Sequence, residues 1–169
     1  VRTVATPVGS LLVEAGGEGL TRFRWGRASE EGPSGLNAVL LDRAESALRS
    51  YLRDPGREWP PLPLALVRST PFQRRVWRAI RCIPPGQTRT YGEIAARTGG
   101  GARAVGSAAG ANPWPILVPC HRVVGRDGLG GYMGLTEGDG PAIKGWLLRH
   151  EGVELPRARG EGPGLGPPC

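Results

Sequence analysis

Thr90-Tyr91-Gly92-Glu93-Ile94-Ala95-Ala96-Arg97-Thr98-Gly99-Gly100-Gly101-Ala102-Arg103-Ala104-Val105-Gly106-Ser107-Ala108-Ala109-Gly110-Ala111-Asn112-Pro113 reads as short helix, glycine turn, short helix. Thr90 and Glu93 have capping-box spacing, so a helix starts there and runs to about Thr98. Gly99 to Gly101 make the turn. Ala102 to Ala111 form the second helix, and Asn112-Pro113 stops it. Upstream, Thr70-Pro71-Phe72-Gln73 combines an N-cap, a first-turn proline and a second capping box. Its helix turns Phe72, Val76, Ala79, Ile80 and Ile83 inward and ends at Ile83-Pro84-Pro85-Gly86.

The helix after the glycine turn is poor in base-reading side chains. A major-groove reader carries polar groups for base edges; beyond Arg103 this helix offers small residues. Such a face suits either a narrow groove or a tightly packed core.

Working outward, residues 1–67 read as a small α/β lobe. Gly9 to Ala15 and Leu20 to Trp25 are two strands around the turn Gly16-Gly17-Glu18-Gly19. Asn37 to Asp54 is a helix with Leu40, Ala44, Ala47, Leu48, Tyr51 and Leu52 in one apolar stripe. Trp59-Pro60-Pro61-Leu62-Pro63-Leu64 breaks regular structure and links the lobes. Residues 68–155 form a mainly helical second lobe. Residues 156–169, rich in Gly and Pro, are expected to be a disordered tail. The fold class is therefore α/β, in the α+β arrangement.

The 169 residues carry 22 Lys+Arg against 15 Asp+Glu, a net charge of +7, and Lys144 is the only lysine. Arginine's planar fork suits phosphate, so nucleic acid is the first partner to consider; GC-rich coding produces the same bias. No apolar run approaches the roughly 20 residues that span a bilayer. Val1 to Gly9 lacks a signal-peptide core. The three cysteines, Cys82, Cys120 and Cys169, form neither a disulfide framework nor a zinc-type pair. A reducing cytoplasm, with no cofactor and no metal, is the expectation.

Chemistry concentrates in Ile116-Leu117-Val118-Pro119-Cys120-His121-Arg122-Val123-Val124. A buried cysteine is usually inert packing, but a histidine beside it allows nucleophile activation. The apolar run before it reads as a strand, on which Cys120 and His121 would point to opposite faces.

Asn112-Pro113 followed by Val118-Pro119-Cys120-His121-Arg122-Val123-Val124 resembles the signature of the O6-alkylguanine-DNA alkyltransferases, the methylated-DNA–protein-cysteine methyltransferases. The likeness extends through Thr70 to Trp77, Ile83 to Gly86, Thr90 to Ala95, Ala102 to Gly106 and Trp146 to Gly152. Residues 1–67 resemble the family's variable, ribonuclease-H-like N-terminal lobe more loosely.

The resemblance implies single-use repair of double-stranded DNA carrying O6-alkylguanine, and O4-alkylthymine, by a monomer without cofactor. Cys120 takes the alkyl group. His121 relays the thiol proton through a water, Glu151 orients that histidine, and Asn112 holds the turn before the cysteine. The relay is expected to keep the thiol below its free value of about 8.5. The target base must leave the stack. Arg103 fills the hole and Tyr91 crowds the adjacent phosphate. Ala104, Gly106 and Ser107 lie in the minor groove. In the pocket, Tyr132 contacts the base, main-chain groups of Cys120 and Val123 read its amine, Pro115 lines the alkyl side, and Lys144 supports the tyrosine loop. Trp114 falls near the pocket rim.

The turn at Gly99 to Gly101 is about two residues shorter than the family's usual spacing, which would shift Arg103 relative to Tyr91. Met133 replaces a serine of some relatives. Two rival classes remain: a helix-turn-helix protein that binds alkylated DNA without transfer, and a Cys-His hydrolase. Without the resemblance, Glu151 reads as a surface residue closing a helix, Asn112 as a helix stop and Cys82 as packing.

Overall fold

The computed structural model describes residues 1–26, 37–65, 68–134 and 139–154. The architecture is mixed α/β. In the first lobe, β1 (Arg2–Thr6), β2 (Gly9–Gly16) and β3 (Gly19–Trp25) form an antiparallel sheet in the order β1-β2-β3. Strand β1 was not expected from the sequence, because Val4 is its only sizeable apolar side chain. Its partner supplies the drive: Val4 sits opposite Leu11, and both are fully buried. Helix α1 (Ala38–Arg53) lays Leu41, Ala44, Leu48 and Tyr51 on this sheet. Leu41 takes the inward place that the expected stripe gave to Leu40, which is only half-buried.

The proline-rich link lacks regular structure, as its composition predicts, yet it docks on β3. Leu20 N–H donates to Pro63 O (2.8 Å), and Ala65 N–H donates to Leu20 O (3.0 Å). Gly19 permits this approach: its φ is +144°, and a Cβ there would lie 2.5 Å from Pro63 O. The second lobe holds β3 as well. Phe23 N–H donates to Pro113 O (2.7 Å), and the Trp114 indole N–H donates to Leu20 O (2.9 Å).

The second lobe is built from α2 (Pro71–Arg81), α3 (Tyr91–Thr98), α4 (Ala102–Gly110) and α5 (Asp139–His150). Both capping boxes are formed, Thr70 with Gln73 and Thr90 with Glu93. Trp77 is buried on α2 and ties it to α4 through its indole N–H to Ala108 O (2.8 Å); the expected stripe omitted it. A short parallel pair, β4 (Arg89–Thr90) and β5 (Val123–Val124), brings the chain just after Cys120 against the start of α3. The strand expected before Cys120 is absent. Residues 114–118 turn, with Val118 N–H on Trp114 O (2.8 Å), and Cys120–Arg122 is one turn of 3-10 helix. Prolines at 113, 115 and 119 lack the N–H groups that a strand ladder needs.

Candidate active site

Asn112, buried at the end of α4, organises the turn that presents Cys120. Its Nδ2 donates to Val118 O (2.8 Å) and to Cys120 Sγ (3.3 Å), while its Oδ1 accepts from Trp114 N–H (3.0 Å). Within this turn Ile116 holds φ at +74°, a costly conformation for a β-branched residue. It is fully buried, so packing and the Asn112 bonds hold it there.

The 3-10 turn places His121 behind the cysteine. His121 is fully buried, and its Nε2 lies 2.8 Å from Glu151 Oε1. The same carboxylate takes Arg122 Nε on Oε2 (2.9 Å), Arg122 Nη2 on Oε1 (2.8 Å) and the Tyr51 hydroxyl on Oε1 (2.7 Å). Arg122 also donates to Ile83 O. Burial by itself would raise the Glu151 carboxyl. Hydrogen bonds and charge from His121 and Arg122 outweigh it and hold the group well below the usual carboxylate range. Glu151 is thus an anion, and we assign the Nε2 proton of His121 to face it. That leaves Nδ1 as the open acceptor; it is buried without a protein partner among the described residues. Burial lowers His121 despite Glu151, so the ring is a neutral base at rest. Burial also pushes the Cys120 thiol up, against the Asn112 bond and the Lys144 charge. The sequence expectation of a lowered resting thiol is therefore corrected: desolvation dominates, and the thiol needs a base.

In front of Cys120 lies a cavity of about 530 Å³, walled by α4 on one side and by Gly131 to Gly134 on the other. Tyr132 is buried in its wall, and Met133, with φ +53°, lines it too. Tyr91 is half-buried there; its hydroxyl donates to Gly131 O (3.3 Å) and its ring lies under the Lys144 ammonium (5.7 Å). Lys144 is fully buried and donates to Val123 O (2.6 Å) and Gly131 O (3.0 Å), pinning the tyrosine loop to the cysteine turn. Burial pulls its pKa down to about 8. On α4, Arg103 and Ser107 are exposed at the cavity rim, Gly106 is half-buried, and Ala104 is exposed beside them. Gly130 packs under Tyr91: a Cβ there would sit 3.0 Å from the ring, and φ is +69°.

The structure thus gathers Cys120, Tyr91, Arg103, Gly106, Ser107 and Tyr132 around one cavity, with Asn112, His121, Glu151, Val123 and Lys144 packed behind it. Pro115 is buried but is not among the cavity-lining residues, because the 114–118 turn carries it inward. Trp114 is not at the rim: it is buried between the lobes, edge-on to Trp77 at 5.8 Å. Cys82, expected to pack, is exposed at the C-cap of α2. Cys169 and the expected tail lie outside the described residues. Among the described residues no cluster of His, Cys, Asp or Glu is placed to hold a metal ion, and no helix is long and apolar enough to cross a membrane. Sequence reasoning missed Tyr51 and Arg122 as neighbours of Glu151. A stripe residue of α1 carries no local sign of a partner 100 positions away.

The profile of the 6-O-methylguanine DNA methyltransferase DNA-binding domain matches residues 71–153. A Shigella flexneri protein named methylated-DNA–protein-cysteine methyltransferase is 41% identical over 168 residues, covering 90% of this chain and 95% of that protein. The chain belongs to the methylated-DNA–protein-cysteine methyltransferase family. A Salmonella typhimurium protein of that name is 60% identical over 89 residues, 51% of this chain, and the chain spans about half (49%) of that relative's length. Among solved members of the methyltransferase family, the crystal structure of Mycobacterium tuberculosis OGT in complex with DNA superposes with a TM-score of 0.71 at 40% identity. It covers 89% of this chain and 91% of the other.

Proposed function

We propose that this chain repairs double-stranded DNA by moving the alkyl group of O6-alkylguanine, and of O4-alkylthymine, onto Cys120, once per molecule. One observation carries the reading: Cys120 lies at the cavity wall with an asparagine donor on its sulfur and a buried His121–Glu151 pair behind it. His121 Nδ1 takes the thiol proton through a bridging water, and the Asn112 N–H and Lys144 charge favour the sulfur anion that forms. The thiolate attacks the alkyl carbon and forms a C–S bond. The C–O6 bond breaks with its electron pair going to the base, and one proton, equivalent to that taken from the thiol, restores neutral guanine. The thioether stays on the protein.

The target base cannot react inside the duplex, so it is extruded into the cavity. Exposed Arg103 fills its place in the stack, and the small side chains of α4 allow close approach in the minor groove. Tyr91 and Tyr132 wall the space for the base, with Val123 and Pro115 supporting the cysteine turn. The protein works as a cytoplasmic monomer without metal or cofactor. Binding without transfer is the weaker reading, because a purely binding site gives no use for a cavity-wall cysteine backed by a buried His–Glu pair.

Intact mass after incubation with duplex DNA containing O6-methylguanine tests this. A gain of about 14 Da, one methyl replacing one proton, is expected on Cys120 and nowhere else. Cys120→Ala should bind the DNA and gain nothing. Several turnovers per molecule, or a methyl on Cys82 with Cys120 unmodified, would overturn the proposal.

A further inference from the structure

Glu151 is reached from both lobes. Arg122 and His121 approach it from the cysteine turn, and Tyr51 approaches it from α1 of the first lobe. The Tyr51 ring is fully buried between Trp59 (5.8 Å between centroids) and His150 (5.4 Å), and His150 Nε2 lies 3.0 Å from Tyr51 O. The side chain is therefore wedged, and its hydroxyl has one fixed direction, toward Glu151 Oε1 at 2.7 Å. That oxygen is also the one that faces His121.

We propose that Tyr51 is a positioning residue of the proton relay, whose hydroxyl shares Glu151 Oε1 with His121 and so tempers that oxygen's pull on the histidine's proton. The inference rests on the alkyl-transfer reading and names a further residue for the same site. Its physical content is a competition. Oε1 divides its electron density among the Tyr51 hydroxyl, Arg122 Nη2 and His121 Nε2. Each donor weakens the acceptor's hold on the others and makes the anion less basic. Removing the Tyr51 hydroxyl leaves fewer donors on Oε1 and tightens its hold on His121. An imidazolium at His121 then becomes easier to form, so proton transfer from the thiol becomes easier near neutral pH. A single-use protein gains from the restraint, since a thiol activated too strongly at rest is lost to any adventitious electrophile.

Other charged or titratable groups facing this set are few. Arg122 and Cys120 belong to the cysteine turn, His150 and Lys144 to α5, Tyr91 to α3, and Tyr132 to the loop before α5. Of these only Arg122 bonds Glu151, and Tyr51→Phe is chosen to leave it in place, because the variant keeps the ring that packs against Trp59 and His150.

The test is the alkylation rate of Cys120 against pH, in a chain with Cys82 and Cys169 changed to Ser. Two electrophiles are used, free O6-benzylguanine and iodoacetamide. Tyr51→Phe should raise the ratio of the near-neutral rate to the alkaline rate by about three- to tenfold, half to one pH unit of easier proton transfer. Glu151→Gln should lower the same ratio. The double variant should match Glu151→Gln, because Tyr51 acts only through that carboxylate. Melting curves run alongside. An unchanged or lowered ratio would overturn the proposal whatever the melting temperature does, as would a raised ratio that persists in the double variant. If the parent chain alkylates with iodoacetamide but never with O6-benzylguanine or alkylated DNA, the transfer reading fails. The iodoacetamide profiles then still decide the role of Tyr51.

Discussion

Arg122 grips both carboxylate oxygens of Glu151, Nε on Oε2 at 2.9 Å and Nη2 on Oε1 at 2.8 Å, and both side chains are almost wholly buried. The two roles that the sequence offered for Glu151, relay member or helix end, are therefore not exclusive. Glu151→Gln removes the charge that favours an imidazolium at His121 and strands a buried guanidinium. Removing one partner of a buried pair costs about 3 kcal/mol or more. The variant should melt lower and alkylate more slowly near neutral pH, and raising the pH should recover part of the lost rate. The carboxyl of Glu151 is depressed in the folded chain, so its stabilisation is full above the ordinary carboxylate value of 4.5 and drains away as pH falls below it. Glu151→Gln should flatten that acid limb. An unshifted rate profile would remove Glu151 from the relay.

Lys144 makes a prediction at the opposite end of the pH scale. Its pKa falls from 10.5 to about 8 on folding, so the unfolded chain binds the proton more tightly. Stability linked to this group must then rise as pH climbs from about 8 toward 10.5, by a total on the order of 3 kcal/mol before discounting for partial solvation. Burial pushes the buried tyrosines and Cys120 up on folding, which contributes with the opposite sign, so the measurement is a difference. Melting temperatures of the parent and of Lys144→Met, taken across that window, should move in the parent's favour as pH rises. A constant difference would mean that the ammonium is not desolvated.

For Arg103 the useful comparison is between substrates. The side chain is exposed at the cavity rim and supports nothing in the core. Arg103→Ala should slow transfer from duplex DNA on the order of tenfold or more, because extruding a base costs a few kcal/mol, and should leave transfer from the free base nearly unchanged. Duplex affinity should fall steeply with salt and vary little with sequence. Equal losses on both substrates would place Arg103 in the pocket's support instead.

Much of the second lobe could be read locally. Thr70 with Gln73 and Thr90 with Glu93 are decided within four residues, and both boxes form as the spacing predicts. The adjacency of Cys120 and His121 misled, because Ile116-Leu117-Val118 has strand composition. Only the prolines around it and the Asn112 side chain, working together, turn the chain into a 3-10 helix. The environment of Glu151 was least legible. Its partners Tyr51, His121 and Arg122 come from two other segments, and charge pairing at such separation leaves no periodic trace. Strand β1 escaped for a similar reason, since its burial is decided by the strand opposite it.

The outer edge of β3 is shared property: Pro63, Ala65 and the Trp114 indole all meet Leu20, and Pro113 of the second lobe holds Phe23. An isolated first lobe would keep the Pro63 and Ala65 bonds but bare the Phe23 N–H on an edge strand that buries Leu20 and Phe23, an opening for another extended chain. An isolated second lobe would lose the backbone acceptor of Trp114 and, beside the cysteine turn, the Tyr51 hydroxyl. Each half thus borrows hydrogen-bond partners from the other. A cut between them is expected to leave one piece with an open strand edge and the other with Glu151 short of one donor.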